Sequence, residues 1–132
     1  MSQENVELFH ATNRAWNEGH FEAVVEMLDP DVEWTFSDRF PDAVGTIRSK
    51  DAVAKFLRSF SEPWAEIENR PSRVLETGDH VVTDTEFVGR SREGIEVRLR
   101  VGHVWTARNG RVVRFCAYPS FGEALAAVGM AE

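Results

Sequence analysis

The period of the hydrophobic positions changes part-way along the chain. Val6, Phe9, Asn13 and Trp16 recur at helical spacing, with Ser2 placed to cap the segment and Gly19 to stop it. Phe21, Val24, Val25 and Leu28 predict a second, short helix closed by Asp29-Pro30. Residues 32–36 alternate and predict a short strand. Residues 37–46 contain Pro41, Asp42 and Gly45 and predict a loop. Ser49 then reads as an N-cap with Asp51 in the first turn, and Val53, Phe56, Leu57 and Phe60 form the buried stripe of a third helix that ends before Pro63.

Beyond that proline the pattern is that of a sheet. Residues 64–76, 80–90, 94–107 and 111–118 predict four strands joined by Thr77-Gly78-Asp79, Ser91-Arg92-Glu93 and Arg108-Asn109-Gly110. Asn109-Gly110 is the strongest of these hairpin signals. Consecutive strands with short turns imply an antiparallel meander. Ser120 and Glu123 have capping-box spacing, and Ala124, Leu125 and Val128 continue a terminal helix stopped by Gly129. The order predicts an α+β fold of one domain, residues 1–132, with three N-terminal helices covering one face of a twisted sheet and an apolar pocket left at its mouth.

Composition narrows the partners. The chain has 132 residues, 42% hydrophobic and 28% charged, which suits a soluble globular domain with a core of its own. A net charge of −7 supplies no basic face for nucleic acid or for an anionic membrane surface. Cys116 is the lone cysteine, so no internal disulfide is possible. The first residues show neither a basic n-region nor an apolar core of a signal peptide, and a cytoplasmic location is expected. His10, His20, His80 and His103 show no metal-ligand spacing with carboxylates or with Cys116, and no glycine-rich phosphate loop is present, so no cofactor is expected.

Several segments, taken in order, resemble one family. Residues 5–8, 16–21 (Trp-Asn-Glu-Gly-His-Phe) and 28–34 (Leu-Asp-Pro-Asp-Val-Glu-Trp) are similar to the opening of SnoaL-like proteins, of the nuclear transport factor 2-like superfamily. Residues 45–53 resemble that family's G-x-x-x-G-x-x-A-[IV] helix entry, with Ser49 where glycine is usual. Residues 103–114 resemble its H-V-W-T-x-x-[DN]-G-[KR]-[IV]-x-R hairpin, and residues 123–129 its E-A-L-x-A-x-G tail. The resemblance implies a cone-shaped fold, often a homodimer through the sheet, and a pocket for a small hydrophobic or polyketide-like molecule. It implies chemistry poorly, because the superfamily holds isomerases, cyclases, hydrolases and non-catalytic binders.

The resemblance also allows a check by position. The general-base aspartate of the ketosteroid isomerases falls at Phe36, their first-helix tyrosine near Thr12, and their protonated aspartate near Gly102. Asp38, two residues from the base position, is kept as a substitute. The second aspartate of limonene epoxide hydrolase-like enzymes falls at Ala117. His103 is then the candidate acid or base, because histidine titrates nearest neutral pH; the competing reading is a structural histidine on a strand. Arg98 and Arg100 share one strand face and Asp84 and Glu86 another, so they form either cross-strand ion pairs or, with the face turned inward, a site where Arg100 binds a carboxylate or phenolate. Trp16, Trp34, Trp64, Phe36, Phe40, Phe56 and Phe60 are candidate aromatic walls. Tyr118 either offers its hydroxyl to the pocket or packs at the rim, and Asn13 either meets ligand or bonds backbone. Two functions follow: a cofactor-independent acid/base isomerase, cyclase or hydrolase, or a domain that binds without turnover.

Overall fold

The computed structural model describes residues 2–37 and 45–130. The elements, in chain order, are α1 (Ser2–Asn17), α2 (Phe21–Glu26), β1 (Leu28–Phe36), β2 (Thr46–Arg48), α3 (Lys50–Ser61), β3 (Trp64–Thr77), β4 (His80–Ser91), β5 (Glu96–Arg108), β6 (Arg111–Tyr118) and α4 (Phe121–Ala127). The strands form one six-stranded sheet in the order β2-β1-β6-β5-β4-β3. Its β3–β6 part is the expected antiparallel meander. The join between β1 and β6 is parallel, so the sheet as a whole is mixed.

Two boundaries differ from the pattern in the sequence. Leu28 opens a strand instead of closing a helix, pairing with Val112. Asp29-Pro30 is an irregular stretch inside β1, where the register with β6 shifts and the Asp29 carboxylate accepts a bond from the Asp31 N–H at 2.9 Å. β2 lies partly in the expected loop; it pairs with Glu33, Trp34 and Thr35 of β1.

The helices and the sheet bury each other by alternation. On the inner face, Phe9 of α1 and Val53 and Leu57 of α3 pack with Trp34, Val81, Trp105 and Phe115 from the strands. On the outer face, Phe121, Ala124 and Leu125 of α4 pack on Val82 and Val104. The α4 cap is the one read from the spacing: the Ser120 hydroxyl accepts from the Glu123 N–H at 3.1 Å. Gly102 lets α4 come this close, since a Cβ there would run into the Ser120 carbonyl oxygen and stand 2.8 Å from the Ala124 Cβ. Leu125, at 1% exposure, contributes about 2 kcal/mol to this contact by burial.

Candidate functional site around His103

Alternation along β5 fixes which face each candidate occupies. Trp105 belongs to the inner core and Val104 to the outer one. His103 and Val101 therefore face the helices, while Gly102, Arg100 and Arg98 face away. The open question about register is settled by the pairs Asp84↔Gly102 and Glu86↔Arg100. Arg100 bonds Asp84 at 3.0 Å and Arg98 lies 3.5 Å from Glu86, so both arginines are held in outer-face ion pairs. Arg100 as an anion-binding group of the pocket is thereby corrected: its strand position points it to the opposite side of the sheet.

Tyr118 is corrected for the same reason. It joins the outer cluster beside α4. Burial, and next a hydrogen bond with Cys116, push its hydroxyl up to about 12. Asn13 resolves toward backbone bonding: its amide donates to the Asn69 carbonyl at 3.3 Å, and Asn17 donates to the same oxygen at 2.9 Å. Thr12, at the position of the isomerase tyrosine, donates its hydroxyl to the Leu8 carbonyl at 2.8 Å. Asp38 and Phe40 lie outside the described residues.

One row of cross-strand partners carries the site. Phe36 pairs with Ala117, Ala117 with His103, His103 with Thr83, and Thr83 with Val74. His103 is 8% exposed, and its ring lies 4.8 Å from that of Phe115 and 6.5 Å from that of Trp105. Burial alone lowers its pKa from 6.5 to about 4, so it is neutral at pH 7. No hydrogen bond engages it among the described residues. Beside it, Thr83 and Thr85, 0% and 1% exposed, bond each other at 2.8 Å. Among the described residues the buried side-chain atoms without a partner are the indole N–H of Trp105, that of Trp16 and one carboxylate oxygen of Glu76.

Aromatic rings wall the row. Phe36 lies 5.5 Å from Phe56, Phe56 6.1 Å from Phe60, and Phe60 5.9 Å from Phe87. Trp34 stacks on Phe115 at 4.2 Å and is core between sheet and helices. Trp16 and Trp64 stand apart from His103 and line a groove of about 770 Å³ at the β3 edge, whose rim carries Glu66, Arg70, Arg90 and Arg98. Thr83, Thr85 and Phe87 were not singled out from the sequence. Their signal was there, since odd positions from Val81 to Phe87 share the inner face. Among the described residues no group of three His, Cys, Asp or Glu side chains could hold a metal, and no helix is long and apolar enough to cross a membrane.

The SnoaL-like domain family matches residues 9–115. The chain belongs to this family. That match includes the aromatic wall, the threonine pair and His103. Among solved structures, a nuclear transport factor 2-like protein of unknown function from Burkholderia pseudomallei is 26% identical, with a TM-score of 0.77 over 96% of this chain and 98% of that one. TerC, crystallised with polyporic acid, is 23% identical with a TM-score of 0.76, covering 89% of this chain and 92% of its own. A Mycobacterium tuberculosis protein in complex with estradiol-17β-hemisuccinate is 15% identical with a TM-score of 0.74, covering 87% and 92%. These likenesses confirm the nuclear transport factor 2-like fold of the SnoaL-like chain. No curated protein matches it in sequence.

Proposed function

We propose that this SnoaL-like protein binds a small, uncharged, largely apolar molecule of polyketide-like size on the inner face of its sheet, with His103 as the polar group that meets it. The observation that carries this reading is a largely buried imidazole, neutral at pH 7 and without a hydrogen bond among the described residues, set against Phe115 and in register with a pair of buried hydroxyls. A ligand that offers this imidazole a hydrogen bond in a largely apolar setting gains affinity from it. Inward positions 81, 83, 85, 87, 101, 103, 105, 115 and 117 carry no carboxylate and no lysine or arginine. An anion buried there would find no counter-charge, so the site favours neutral ligands. The two solved neighbours crystallised with polyporic acid and with estradiol-17β-hemisuccinate support the largely apolar ring body of the ligand but not its neutrality, since both of those ligands are acids.

As a catalyst His103 would start unprotonated at neutral pH and act as a base, accepting a proton from an acidic C–H or O–H of the ligand. Binding without turnover is the second reading. It is favoured by the cause of the lowered pKa, which is burial with no contribution from a neighbouring acid, and by Phe36, Gly102 and Ala117 at the positions where relatives carry catalytic acids. We also propose that the protein acts as a homodimer through its sheet.

The test is tryptophan-fluorescence titration with 2-naphthol and with 2-naphthoate, one neutral and one anionic. Naphthol should bind at least tenfold more tightly than naphthoate, and His103→Leu should weaken naphthol by about tenfold while the fold is retained by circular dichroism. Unchanged naphthol affinity in His103→Leu would remove His103 from the site. His103→Gln keeps hydrogen-bonding capacity without a titrating proton, so it should keep binding and, if the protein catalyses, lose turnover.

A further inference from the structure

Along the inner face of β5 the cover ends abruptly. His103 and Val101 are 8% and 5% exposed, whereas Leu99, Val97 and Ile95, the next three positions on that face, are 50%, 39% and 64% exposed. From Glu96 to Arg100 every residue is exposed, so the stretch meets solvent on both faces. Packing within the chain therefore does not require it to sort its residues by face. They are sorted all the same: Glu96, Arg98 and Arg100 stand on the outer face, and Ile95, Val97 and Leu99 on the inner one. Among the described residues these three are the large hydrophobic side chains left exposed. A contiguous apolar patch of this kind marks a contact.

The patch continues on β4. Phe87 is the register partner of Leu99, and Gly89 that of Val97. The Trp64 ring lies on Gly89, since a Cβ there would stand 2.7 Å from its Cζ3 atom. Trp64 and Phe87 meet edge to face at 5.6 Å. The result is an apolar strip two strands wide. A chain of rings joins it to the buried row, because Phe36 shares the row of His103, Phe87 shares that of Leu99, and Phe56 and Phe60 stand between them. The strip and the His103 row are thus one continuous surface, covered at one end and open at the other. The arginines beside the strip are held in ion pairs on the opposite face.

We infer that the ligand of the His103 row carries a long apolar chain, and that Leu99, Val97, Phe87 and Trp64 hold this chain where it leaves the covered part of the sheet. The inference rests on the reading of His103 as the group that meets the polar end of the ligand. Four residues of strand separate His103 from Leu99, about 13 Å, and six separate it from Val97, about 20 Å. A straight chain of roughly ten carbons spans the first of these distances. The occupant is a neutral molecule with a hydroxyl or carbonyl at its head and a chain of about ten carbons or more, of the class of long-chain alcohols, ketones and esters. Each methylene laid on the strip leaves water together with the part of Leu99 or Val97 that it covers, which is the source of the added affinity.

The test is a series of 1-alkanols from hexanol to dodecanol, titrated into the full chain and followed by tryptophan fluorescence. Binding should tighten about three- to fourfold with each added methylene along the whole series. Leu99→Asp changes an exposed position, so circular dichroism should be unchanged; hexanol affinity should stay the same and dodecanol affinity should fall at least tenfold. Arg98→Ser, one residue away on the opposite face, should alter neither. His103→Leu should weaken every member alike and keep the slope. A wild-type slope that levels off by octanol, or one that Leu99→Asp leaves intact, overturns the inference and leaves the His103 reading standing. Failure of every alkanol to bind, or equal hexanol affinity in wild type and His103→Leu, removes both. If Leu99→Asp changes the sedimentation coefficient and not the alkanol series, the strip is a contact with another protein and the inference fails.

Discussion

Thr83 and Thr85 form a pair: their hydroxyls bond each other at 2.8 Å, and Thr83 is the register partner of His103 in the facing strand. Removing one hydroxyl strands the other in the core, whereas removing both leaves two shape-matched methyls. Thr83→Val or Thr85→Val alone should therefore cost about 1–2 kcal/mol in urea unfolding, and the double variant should cost less than the two together. Additive losses would show that the pair is not coupled. In the naphthol titration the double variant should bind less well even where its stability recovers. At this scale the sequence was half legible. His103 was visible because its residue type titrates near neutrality, and the alternation of β5 already set it opposite in face to Arg100. Which of the two faced the helices was not visible, since alternation gives relative faces only and the helices choose between them. The threonines went unnoticed because hydroxyls on a strand carry no charge and no strong pattern.

The entry to α3 is the most strained local feature among the described residues. Ser49 has φ 85° and ψ 147°, a region that side chains with a Cβ rarely occupy, yet its hydroxyl caps the helix by accepting from the Ala52 N–H at 3.2 Å. Exchanging the cap serine for glycine costs a few tenths of a kcal/mol, and relief of the backbone is worth more. Ser49→Gly should stabilise the protein by about 1 kcal/mol, read as a rise in the urea midpoint; a fall would mean that the cap outweighs the strain. Gly102 makes the opposite case. Gly102→Ala should cost about 1–3 kcal/mol, because the new methyl must push Ser120 and Ala124 of the α4 contact off the sheet. The element pattern was largely written in the sequence: α3, α4 and the β3–β6 meander follow from periodicity, caps and turns that are local. β2 and the start of β1 were not, because a three-residue strand and a proline-containing stretch gain their structure from partners distant in the chain.

For the whole molecule, His103 links stability to pH. Its folded pKa of about 4 lies below the ordinary 6.5, so the folded state resists a proton that the unfolded chain accepts. The stability associated with neutral His103 is fully present above pH 6.5. It is lost progressively as pH falls from about 6.5 to about 4, at most about 3 kcal/mol in all. That is a large share of the total for a domain of this size, which is typically about 5–15 kcal/mol. Carboxylates also titrate toward the lower end of this window, but they are common to the wild type and to a His103→Gln variant and drop out of the difference between them. Urea unfolding of both proteins at intervals from pH 4 to pH 8 should thus give curves that run parallel above pH 6.5 and converge, or cross, below it. If they remain parallel throughout, the imidazolium is reaching water or a hydrogen-bond acceptor in the folded state. A tightly bound neutral ligand should deepen the same window by favouring the unprotonated ring, so adding 2-naphthol should steepen the wild-type curve between pH 6.5 and 4 and leave that of His103→Leu unchanged.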